Sequence, residues 1–562
     1  MTWKPSIKKS FIIGMAMATL MPAVSQAYGE ASVIQGYVER QSLVPMIKPS
    51  WGNFILHTDT LNKLYSLRGF NAIWVDSAGR PNQMVTALKT YLQSVDRHGL
   101  YTTDYWDAEI ENLFAAAKSN PKNWITFELA VSEAVIRFAN HISTGRFDPE
   151  SIDTDIKFKQ KTFNEYNDLI SALGAGASGL AAGLDRLAPT HSRYGDLMKA
   201  LSRLRVLKTQ GGWEVLVSPG YPLKKGVTAP VIGQLRARLN QLGYTVSNAG
   251  GNLFDAELDT VVRDFQAKNG LTVDGIIGTR SEVLRVLNYT VNQRISQVEV
   301  NMEKLRWLPR TLENRHIFVN LATSEFRLFE GSQKVFDFKT INGQSFRRTP
   351  SMRDLLYRII LNPTWTVPNS IAVRDKIPML QKDPGYLAKH NMVLLDSSTE
   401  QQVDPYSIDW QNTTVRNFSY FIRQNPGYDN ALGVMKFDLQ QNPWAIYLHD
   451  TNERWLFAET NRLRSSGCVR LEKPMDLAEY LVRDVPDWDR AALTAAVPSR
   501  KEKVSRTPIS VSLGKQAVPV YMMFLTVEKT DNGALRFVDD LYGQDMRVAK
   551  AIQNKKINNE LF

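Results

Sequence analysis

Apolar residues recur every three or four positions through much of the first part of the chain. Two such runs, 84–95 and 124–142, end close to Gly99 and Gly145. This spacing is typical of amphipathic helices, and glycine is a common helix stop. We therefore predict a helical scaffold domain over residues 28–220, and no group of catalytic residue types stands out within it.

A second helical pattern occupies residues 226–289. Apolar residues at helical spacing fill 231–242 and 258–265, and the Gly250-Gly251 pair lies between these two runs. Further glycines follow the second run, where they allow tight turns and close packing of helices, at Gly270, Gly275 and Gly278. From its pattern alone, this segment is a small helical module.

The same segment is similar to the peptidoglycan-binding type 1 domain. It contains Leu-Gly-Tyr at 242–244, Phe-Gln at 265–266 and Gly-Leu-x-x-Asp-Gly at 270–275, which are features of that family. The resemblance implies affinity for the cell wall. The alternative is that the module is a spacer that binds the wall only weakly.

From residue 299 the spacing of apolar residues changes from helical to alternating, as in 317–321 and 326–328. Alternation predicts strands, and Glu330-Gly331 is able to turn the chain between two of them. We predict a mostly-β domain over residues 299–500, with one helix near 475–482. The fold class that results is multidomain α+β.

Two further segments belong to this strand-rich region. Residues 371–440 are rich in Gln, Asn and Asp and are predicted to form a helical insertion. Interruptions of this length are often functional, which favours a cap over a site, although a decorative insertion is the alternative. Residues 501–562 are predicted to complete the domain with a hairpin, because the apolar runs 518–525 and 534–538 flank Asp531-Asn532-Gly533.

The first residues have the pattern of a secretory signal peptide. Basic residues within 1–10 precede the apolar run 11–23, and Ser25-Gln26-Ala27 supplies small residues for cleavage. An uncleaved membrane anchor is the alternative, although the run is short for a spanning helix. We expect a signal peptide over residues 1–27 and an exported chain with no later membrane span.

Composition adds two constraints. The chain has 562 residues, and 43% of them are hydrophobic. A chain of this length is too long to form one hydrophobic core, so we expect several domains. Removal of the three lysines in residues 1–27 lowers the formal net charge from +11 to +8. The remaining basic residues are scattered rather than clustered with aromatics, so nucleic acid is excluded as a partner, whereas anionic wall polymers or lipid head groups stay compatible with the charge.

The chain has a single cysteine, Cys468, within Arg-Ser-Ser-Gly-Cys-Val-Arg-Leu at 464–471. One thiol cannot form an internal disulfide, so Cys468 is either a small buried hydrophobe or a nucleophile. His449 follows the apolar run 444–448, which predicts a strand end. A neighbouring imidazole is able to take the thiol proton, leave a thiolate–imidazolium pair, and later protonate a leaving amine.

Residues around the cysteine suit the same chemistry. Ser466 and Gly467 offer backbone N–H groups without bulky side chains, as an oxyanion hole requires. Arg470 either holds the turn or binds a substrate carboxylate. Two groups could orient the imidazole: the Asp450 carboxylate or a backbone carbonyl. The Asp450 side chain should point to the opposite face of the strand, so the sequence does not decide between them.

His449 together with 465–471 is similar to the catalytic signature of L,D-transpeptidases, in which a histidine precedes Ser-(His/Ser)-Gly-Cys-(Val/Ile)-Arg. Further segments, including 348–350, 362–368 and 424–427, resemble the large periplasmic subgroup of Gram-negative bacteria. That subgroup combines a helical scaffold, a wall-binding domain and a catalytic domain with a cap, in this order. Two positions depart from the pattern: Ser466 stands where many relatives have His, and Asn452 where the subgroup usually has Pro.

The resemblance implies a mechanism. Cys468 attacks the carbonyl of the third-position diaminopimelate in a donor tetrapeptide and expels D-alanine, and His449 serves as base and then acid. The side-chain amine of an acceptor diaminopimelate then takes the acyl group, which gives a 3-3 crosslink. Peptidoglycan stem peptides and glycan are the implied partners, in the periplasm, and other cell-wall synthesis proteins are further candidates. No cofactor is implied, and Cys468 has no ligands at metal-binding spacing.

Several alternatives stay open at this point. Water as acceptor would give an L,D-carboxypeptidase, and a lysine of an outer-membrane lipoprotein would give an anchoring enzyme, both with the same nucleophile. A catalytically silent wall-binding scaffold would give no reason to keep both His449 and Cys468. A papain-like protease also uses cysteine and histidine, but its cysteine usually precedes its histidine, and the order here is reversed.

Overall fold

The computed structural model describes residues 30–41, 46–47, 56–120, 122, 124–158, 161–441, 443–499, 502 and 506–560. The predicted signal peptide, residues 1–27, lies outside these ranges. The chain divides into two compact units, one with the described residues of 1–146, 161–190 and 554–562, the other with those of 147–160 and 191–553. Within the described ranges, no helix combines the length and apolar character that a membrane span needs.

The first unit is helical and is built around a long buried helix, α5 (Trp124–Thr144), which confirms the helix predicted at 124–142. Its other elements are α1 (Glu30–Gln41), α2 (Thr58–Ser66), α3 (Gln83–Leu92), α4 (Ala108–Ser119), α7 (Tyr166–Gly174), α8 (Gly176–Asp185), and the two-residue strands β1 (Met46–Ile47) and β2 (Leu56–His57). Nearly every side chain of α5 beyond its first turn is buried, so this helix forms the core of the unit.

The α5 helix carries a buried carboxylate, Glu128. Its oxygens accept hydrogen bonds from the backbone N–H groups of Ile73 at 2.6 Å and Trp74 at 2.9 Å, and from the Tyr65 hydroxyl at 2.7 Å. Burial raises the pKa of Glu128 to about 7, and these hydrogen bonds oppose the shift. The group is buried but well supplied with donors, as native cores require.

In the second unit, α6 (Pro149–Ile152) and α9 (Ser192–Thr209) precede the small helical module, although both lie within the predicted scaffold range. The module consists of α10 (Pro230–Gln241), α11 (Ala256–Lys268) and α12 (Glu282–Leu287). The buried Gln266 accepts a hydrogen bond from the N–H of Gly275 at 2.8 Å and donates one to Asp274 at 2.8 Å. The Phe-Gln and Asp-Gly sequences are therefore joined inside the fold.

The strand-rich domain begins after α13 (Val291–Arg306). Its main strands are β3 (Ile156–Lys157), β4 (Arg315–Asn320), β5 (Glu325–Glu330), β6 (Gln333–Gly343), β7 (Ser351–Leu361), β12 (Met435–Leu439), β13 (Leu448–His449), β14 (Leu463–Ser465), β15 (Val469–Leu471), β16 (Ile509–Ser512) and β17 (Val518–Met523). Nine of these eleven strands follow one another in the order β12-β13-β15-β6-β5-β4-β17-β7-β16. The other two join the same sheet at its side: β14 pairs with β6, and β3, which precedes α13 in the chain, pairs with β7. Because β12 also pairs with β7, the first eight strands of this path close on themselves.

The core of this domain lies inside the closed sheet. Alternate apolar side chains of its strands are fully buried there, among them Ile317, Val319 and Leu356. Helix α17 (Pro474–Val482) adds Leu477 and Leu481 to the same core and confirms the helix predicted near 475–482, and α18 (Arg490–Ala496) follows it. The alternating pattern of the sequence thus corresponds to the inward and outward faces of the strands.

The insertion differs from its prediction as a helical segment. It contains the short helices α14 (Asn369–Ile371), α15 (Ile377–Leu380) and α16 (Tyr386–Lys389), but also a four-stranded antiparallel sheet of β8 (Trp365–Thr366), β9 (Met392–Asp396), β10 (Gln402–Val403) and β11 (Tyr420–Gln424). The apolar run in β9 and the alternation in β11 produce these strands, and they pack on their own small core. We call residues 365–424 the cap. Residues 435–439, placed in the insertion by the sequence, belong to the main sheet as β12.

The C-terminal segment also differs from its prediction. Asp531-Asn532-Gly533 does turn the chain, but between β18 (Val527–Lys529) and β19 (Leu535–Phe537). The apolar run at 518–523 instead forms β17 between β4 and β7, because the main sheet buries it on both faces. Helix α19 (Gln544–Glu560) was not predicted, since few of its residues are apolar and only Val548 and Ile552 of its described apolar side chains are buried.

Candidate active site

Two short neighbouring strands position His449 and Cys468. Strand β13 runs parallel to β15 with His449 opposite Arg470, and the N–H of Val469 donates to the carbonyl of Tyr447 at 3.1 Å. Cys468 comes directly before β15, so it lies opposite Tyr447. The strand predicted over 444–448 is thus reduced to β13, Leu448–His449. His449 is buried and Cys468 is partly exposed.

Tyr447 connects the thiol and the imidazole. Its hydroxyl and its backbone N–H both contact the Cys468 sulfur as hydrogen-bond donors. Its ring also packs edge-on against the His449 ring, with the two centroids 5.5 Å apart. Tyr447 was missed by the sequence analysis, although it lies two residues before His449 and therefore on the same face of an extended chain.

His449 is held as a neutral imidazole. Burial lowers its pKa to about 3, and the nearby charges of Arg470 and Lys436 act in the same direction. The backbone carbonyl of Asp450 accepts a hydrogen bond from the ring and opposes the shift. Among the described residues, the buried Nδ1 atom has no hydrogen-bond partner.

Burial also raises the pKa of the Cys468 thiol, while the donors of Tyr447 and the charges of Lys436 and Arg470 act against that rise. A raised thiol pKa and a lowered imidazole pKa both keep the proton on sulfur. The resting pair is therefore neutral, in contrast to the thiolate–imidazolium pair considered from the sequence.

The turn before Cys468 is fixed by side chains on both sides. Ser465 Oγ accepts a hydrogen bond from the N–H of Gly467 at 3.1 Å and donates one to the Cys468 carbonyl at 2.6 Å. The Thr349 hydroxyl donates to the Gly467 carbonyl at 2.7 Å. Gly467 has a φ of +124°, a conformation that side-chain-bearing residues rarely adopt. The turn is therefore rigid, and glycine is needed in it.

The hydrogen bonds of this turn distinguish the roles of the residues predicted to form an oxyanion hole. The N–H of Gly467 is already taken by Ser465, so it is not available to a developing oxyanion. The side chain of Ser466 accepts a hydrogen bond from Arg347 at 3.0 Å and thereby connects the turn to another loop. In the described part of the chain, the N–H of Cys468 has no hydrogen-bond acceptor, so it is free to donate to a group bound at the thiol.

Arg470 and Asp450, the two charged candidates, each form an ion pair with another residue. Arg470 forms an ion pair with Glu453, which supports its role in holding the turn. The Asp450 carboxylate pairs with Arg454 and accepts the N–H of Val434 at 3.1 Å. The contact that orients His449 is thus made by the backbone carbonyl of Asp450 rather than by its side chain.

We call residues 465–468 the nucleophile turn; one cleft is lined by residues of this turn, and a second is lined by Tyr447. The larger, about 570 Å³, is lined by Arg347, Arg348, Arg374, Arg547, Ser466 and Gly467 among others, and we call it the arginine cleft. The other, about 310 Å³, is lined by Trp365, Thr366, Lys436, Tyr447 and Pro508 among others, and we call it the tryptophan cleft. Ser466 and Tyr447 thus line separate clefts. In the described ranges, no group of three or more His, Cys, Asp or Glu side chains is arranged to hold a metal ion.

Comparison with known proteins defines the class. Residues 314–519 match the YkuD family, described as the L,D-transpeptidase catalytic domain; residues 228–281 match a family described as "Putative peptidoglycan binding domain"; and residues 59–201 match the "Scaffold domain" family. The chain therefore combines a scaffold domain, a peptidoglycan-binding domain and a YkuD-type L,D-transpeptidase catalytic domain. These matches confirm the resemblances and the fold class predicted from the sequence.

Individual relatives agree with this class. A Haemophilus influenzae protein named "Putative L,D-transpeptidase" is 33% identical over 252 residues, which are 45% of this chain. The matched region spans 48% of that relative, about half its length.

Solved structures of L,D-transpeptidases from Xylanimonas cellulosilytica and Mycobacterium smegmatis are also similar. They cover 54% and 38% of this chain, and 98% and 60% of their own, at 14% and 10% identity with TM-scores of 0.16 and 0.17. At such TM-scores the likeness is not evidence for the fold.

Proposed function

We propose that this protein is a peptidoglycan L,D-transpeptidase that forms 3-3 crosslinks through a thioester on Cys468. One observation carries the proposal: in a YkuD-type domain, the Cys468 thiol and the buried His449 imidazole lie on neighbouring chain segments and both contact Tyr447, and Nδ1 of His449 has no hydrogen-bond partner among the described residues. Nucleophilic catalysis by a thiol needs a base in this state.

In the first half-reaction, the Cys468 sulfur attacks the carbonyl carbon of diaminopimelate in a donor tetrapeptide, and the thiol proton passes to Nδ1 of His449. The hydroxyl and N–H of Tyr447 stabilise the negative charge that develops on sulfur, and the N–H of Cys468 is placed to stabilise the oxyanion. The imidazolium then protonates the leaving nitrogen of D-alanine, and a thioester remains.

The second half-reaction reverses the proton path. The side-chain amine of an acceptor diaminopimelate gives a proton to neutral His449 as its nitrogen attacks the thioester carbonyl. The C–S bond breaks, the thiol regains its proton from the imidazolium, and the two stems are joined by an amide. The two clefts, one lined by the nucleophile turn and one by Tyr447, support a reaction in which two stem peptides bind.

The cellular setting follows from two observations. The basic and apolar pattern of residues 1–27 supports export, and the match to a peptidoglycan-binding domain supports work at the wall. We place the protein in the periplasm, with peptidoglycan stem peptides and glycan as its partners. The alternatives of an L,D-carboxypeptidase and a lipoprotein-anchoring enzyme differ only in the acceptor, water or a lysine.

One experiment separates these outcomes. The exported chain is incubated with purified disaccharide-tetrapeptide, with and without a lysine-containing peptide, and the products are analysed by mass spectrometry beside Cys468→Ala. A thiol-dependent 3-3 dimer is the expected product. Tripeptide alone would identify a carboxypeptidase, a lysine adduct an anchoring enzyme, and the absence of any thiol-dependent product would refute the proposal.

A further inference from the structure

Four arginines and one carboxylate, Asp155, are among the residues that line the arginine cleft. Its lining also includes the nucleophile-turn residues Ser466 and Gly467, so a ligand in this cleft lies against the turn that carries Cys468. Apolar side chains of Ile446 and Trp444 also line it. A space of about 570 Å³ is large enough to hold part of a peptide.

Three of the four arginines already have carboxylate partners. Arg347 donates from both terminal nitrogens to Asp375, each at 2.7 Å. Arg348 pairs with Asp155 at 2.6 Å, and Arg547 pairs with Asp153 at 2.6 Å. Their charges are therefore largely neutralised by the protein itself, and their geometry is fixed.

Arg374 differs from these three. Its side chain is exposed, and in the part of the chain that the structure describes it forms no ion pair. It lies in the five-residue π-helical turn Ala372–Lys376 of the cap, a type of turn that is frequent at functional sites. The cleft thus contains one cation whose donors are free for a ligand.

The backbone of the cap turn is held near Cys468 by the residue that follows Arg374. Asp375 accepts a hydrogen bond from Arg347, and the same guanidinium donates to Ser466 Oγ at 3.0 Å. Ser466 is two residues from Cys468, so these contacts connect the cap turn to the turn that carries the cysteine. Arg374 lines the same cleft as Ser466.

We propose that the arginine cleft is a stem-peptide subsite and that Arg374 binds a free carboxylate of the stem. This inference rests on the proposed function, because it takes the stem peptide as the ligand. A stem that ends in D-alanine has a terminal carboxylate, and diaminopimelate keeps a second carboxylate beside its side-chain amine. A guanidinium recognises either through two parallel N–H···O hydrogen bonds, which lysine cannot reproduce.

Binding is measured in the Cys468→Ala chain, where no turnover occurs, so the test does not depend on crosslinking. Isothermal titration calorimetry with disaccharide-tetrapeptide compares this chain with the same chain carrying Arg374→Gln or Arg374→Lys. We expect about ten-fold weaker binding for the Gln substitution, with incomplete rescue by Lys. The matched control is Arg416→Gln, an exposed cap arginine outside the cleft lining, which should leave the affinity unchanged.

Two amidated ligands identify the carboxylate. One ligand is amidated at the terminal D-alanine and the other at diaminopimelate. The ten-fold difference between the chains with and without Arg374→Gln should disappear only with the ligand that lacks the carboxylate bound by Arg374. The inference is overturned if the tetrapeptide binds equally well with and without the Arg374→Gln substitution, if it does not bind at all, or if the difference persists with both amidated ligands. Failure of crosslinking with intact, Arg374-dependent binding would refute the proposed function and leave the subsite standing.

Discussion

The scaffold and the catalytic domain each bury a titratable group whose pKa is strongly displaced, yet the two groups are placed very differently. Burial is the largest cause in both, raising the pKa of Glu128 to about 7 and lowering that of His449 to about 3. The carboxylate of Glu128 accepts three hydrogen bonds from fixed donors. His449 keeps Nδ1 without a partner among the described residues, and Tyr447 contacts both its ring and the Cys468 thiol.

The difference shows what marks a reactive site. A displaced pKa accompanies burial in either region, so it does not by itself distinguish structural from catalytic groups. His449, in contrast, lies on a strand beside the segment that carries Cys468, and its Nδ1 has no hydrogen-bond partner among the described residues. We therefore expect Glu128 to stabilise the scaffold and His449 to take part in the chemistry.

The largest effect expected is from Cys468→Ala. Removing the sulfur removes the acyl-enzyme, so kcat/KM for disaccharide-tetrapeptide should fall by at least about 10⁴-fold. The side chain is small and partly exposed, so the variant should fold normally. Mass spectrometry of the intact chain after incubation with substrate should show an acyl adduct on the parent and none on the variant; an adduct on the variant would place the nucleophile elsewhere.

His449→Gln should have the next largest effect. Loss of the base that accepts the thiol proton should lower kcat by about 10³-fold, because general acid–base catalysis contributes on that scale. Single-turnover acylation of Cys468, followed by mass spectrometry, measures the affected step. His390→Gln is a matched control, since His390 is exposed in the cap. Equal rates for parent and His449→Gln would mean that another group accepts the proton.

Glu128→Gln tests the other side of the comparison. The folded pKa of about 7 lies above the ordinary value of 4.5, so the native state holds the proton more tightly than the unfolded state. Protonation of Glu128 therefore contributes roughly 3 kcal/mol to the free energy of unfolding. This contribution is fully present below pH 4.5 and is lost as the pH rises through 7.

Urea unfolding of the full chain at pH 4.5 and pH 8 measures this loss. The Gln variant should have a weaker pH dependence across that window, while its kcat/KM per folded molecule should equal that of the parent. A large fall in activity without a change in stability would contradict a purely structural role for Glu128.

The sequence predicted the elements that depend on local pattern, such as α5, α17 and the strands of the main sheet. It also proposed His449 and Cys468 as the base and the nucleophile, which stays a prediction, and left open which group orients the imidazole. It could not show that Ser465 takes the N–H of Gly467, or that Arg470 pairs with Glu453, because these contacts depend on how distant segments meet. The strands of the cap were missed because polar loops dominate the composition of that segment.

The smallest effect expected is from Tyr447→Phe, which removes one donor to the sulfur and keeps the ring against His449. The hydroxyl holds the thiol pKa down, so its loss should raise that pKa further and slow alkylation about ten-fold at neutral pH. Because Cys468 is the only cysteine, the rate of iodoacetamide labelling against pH reports on this thiol alone. In the parent the curve should have its midpoint above the ordinary thiol range, since burial raises the pKa. A shift of the Phe curve toward lower pH would show that the tyrosine hydroxyl stabilises the protonated thiol instead.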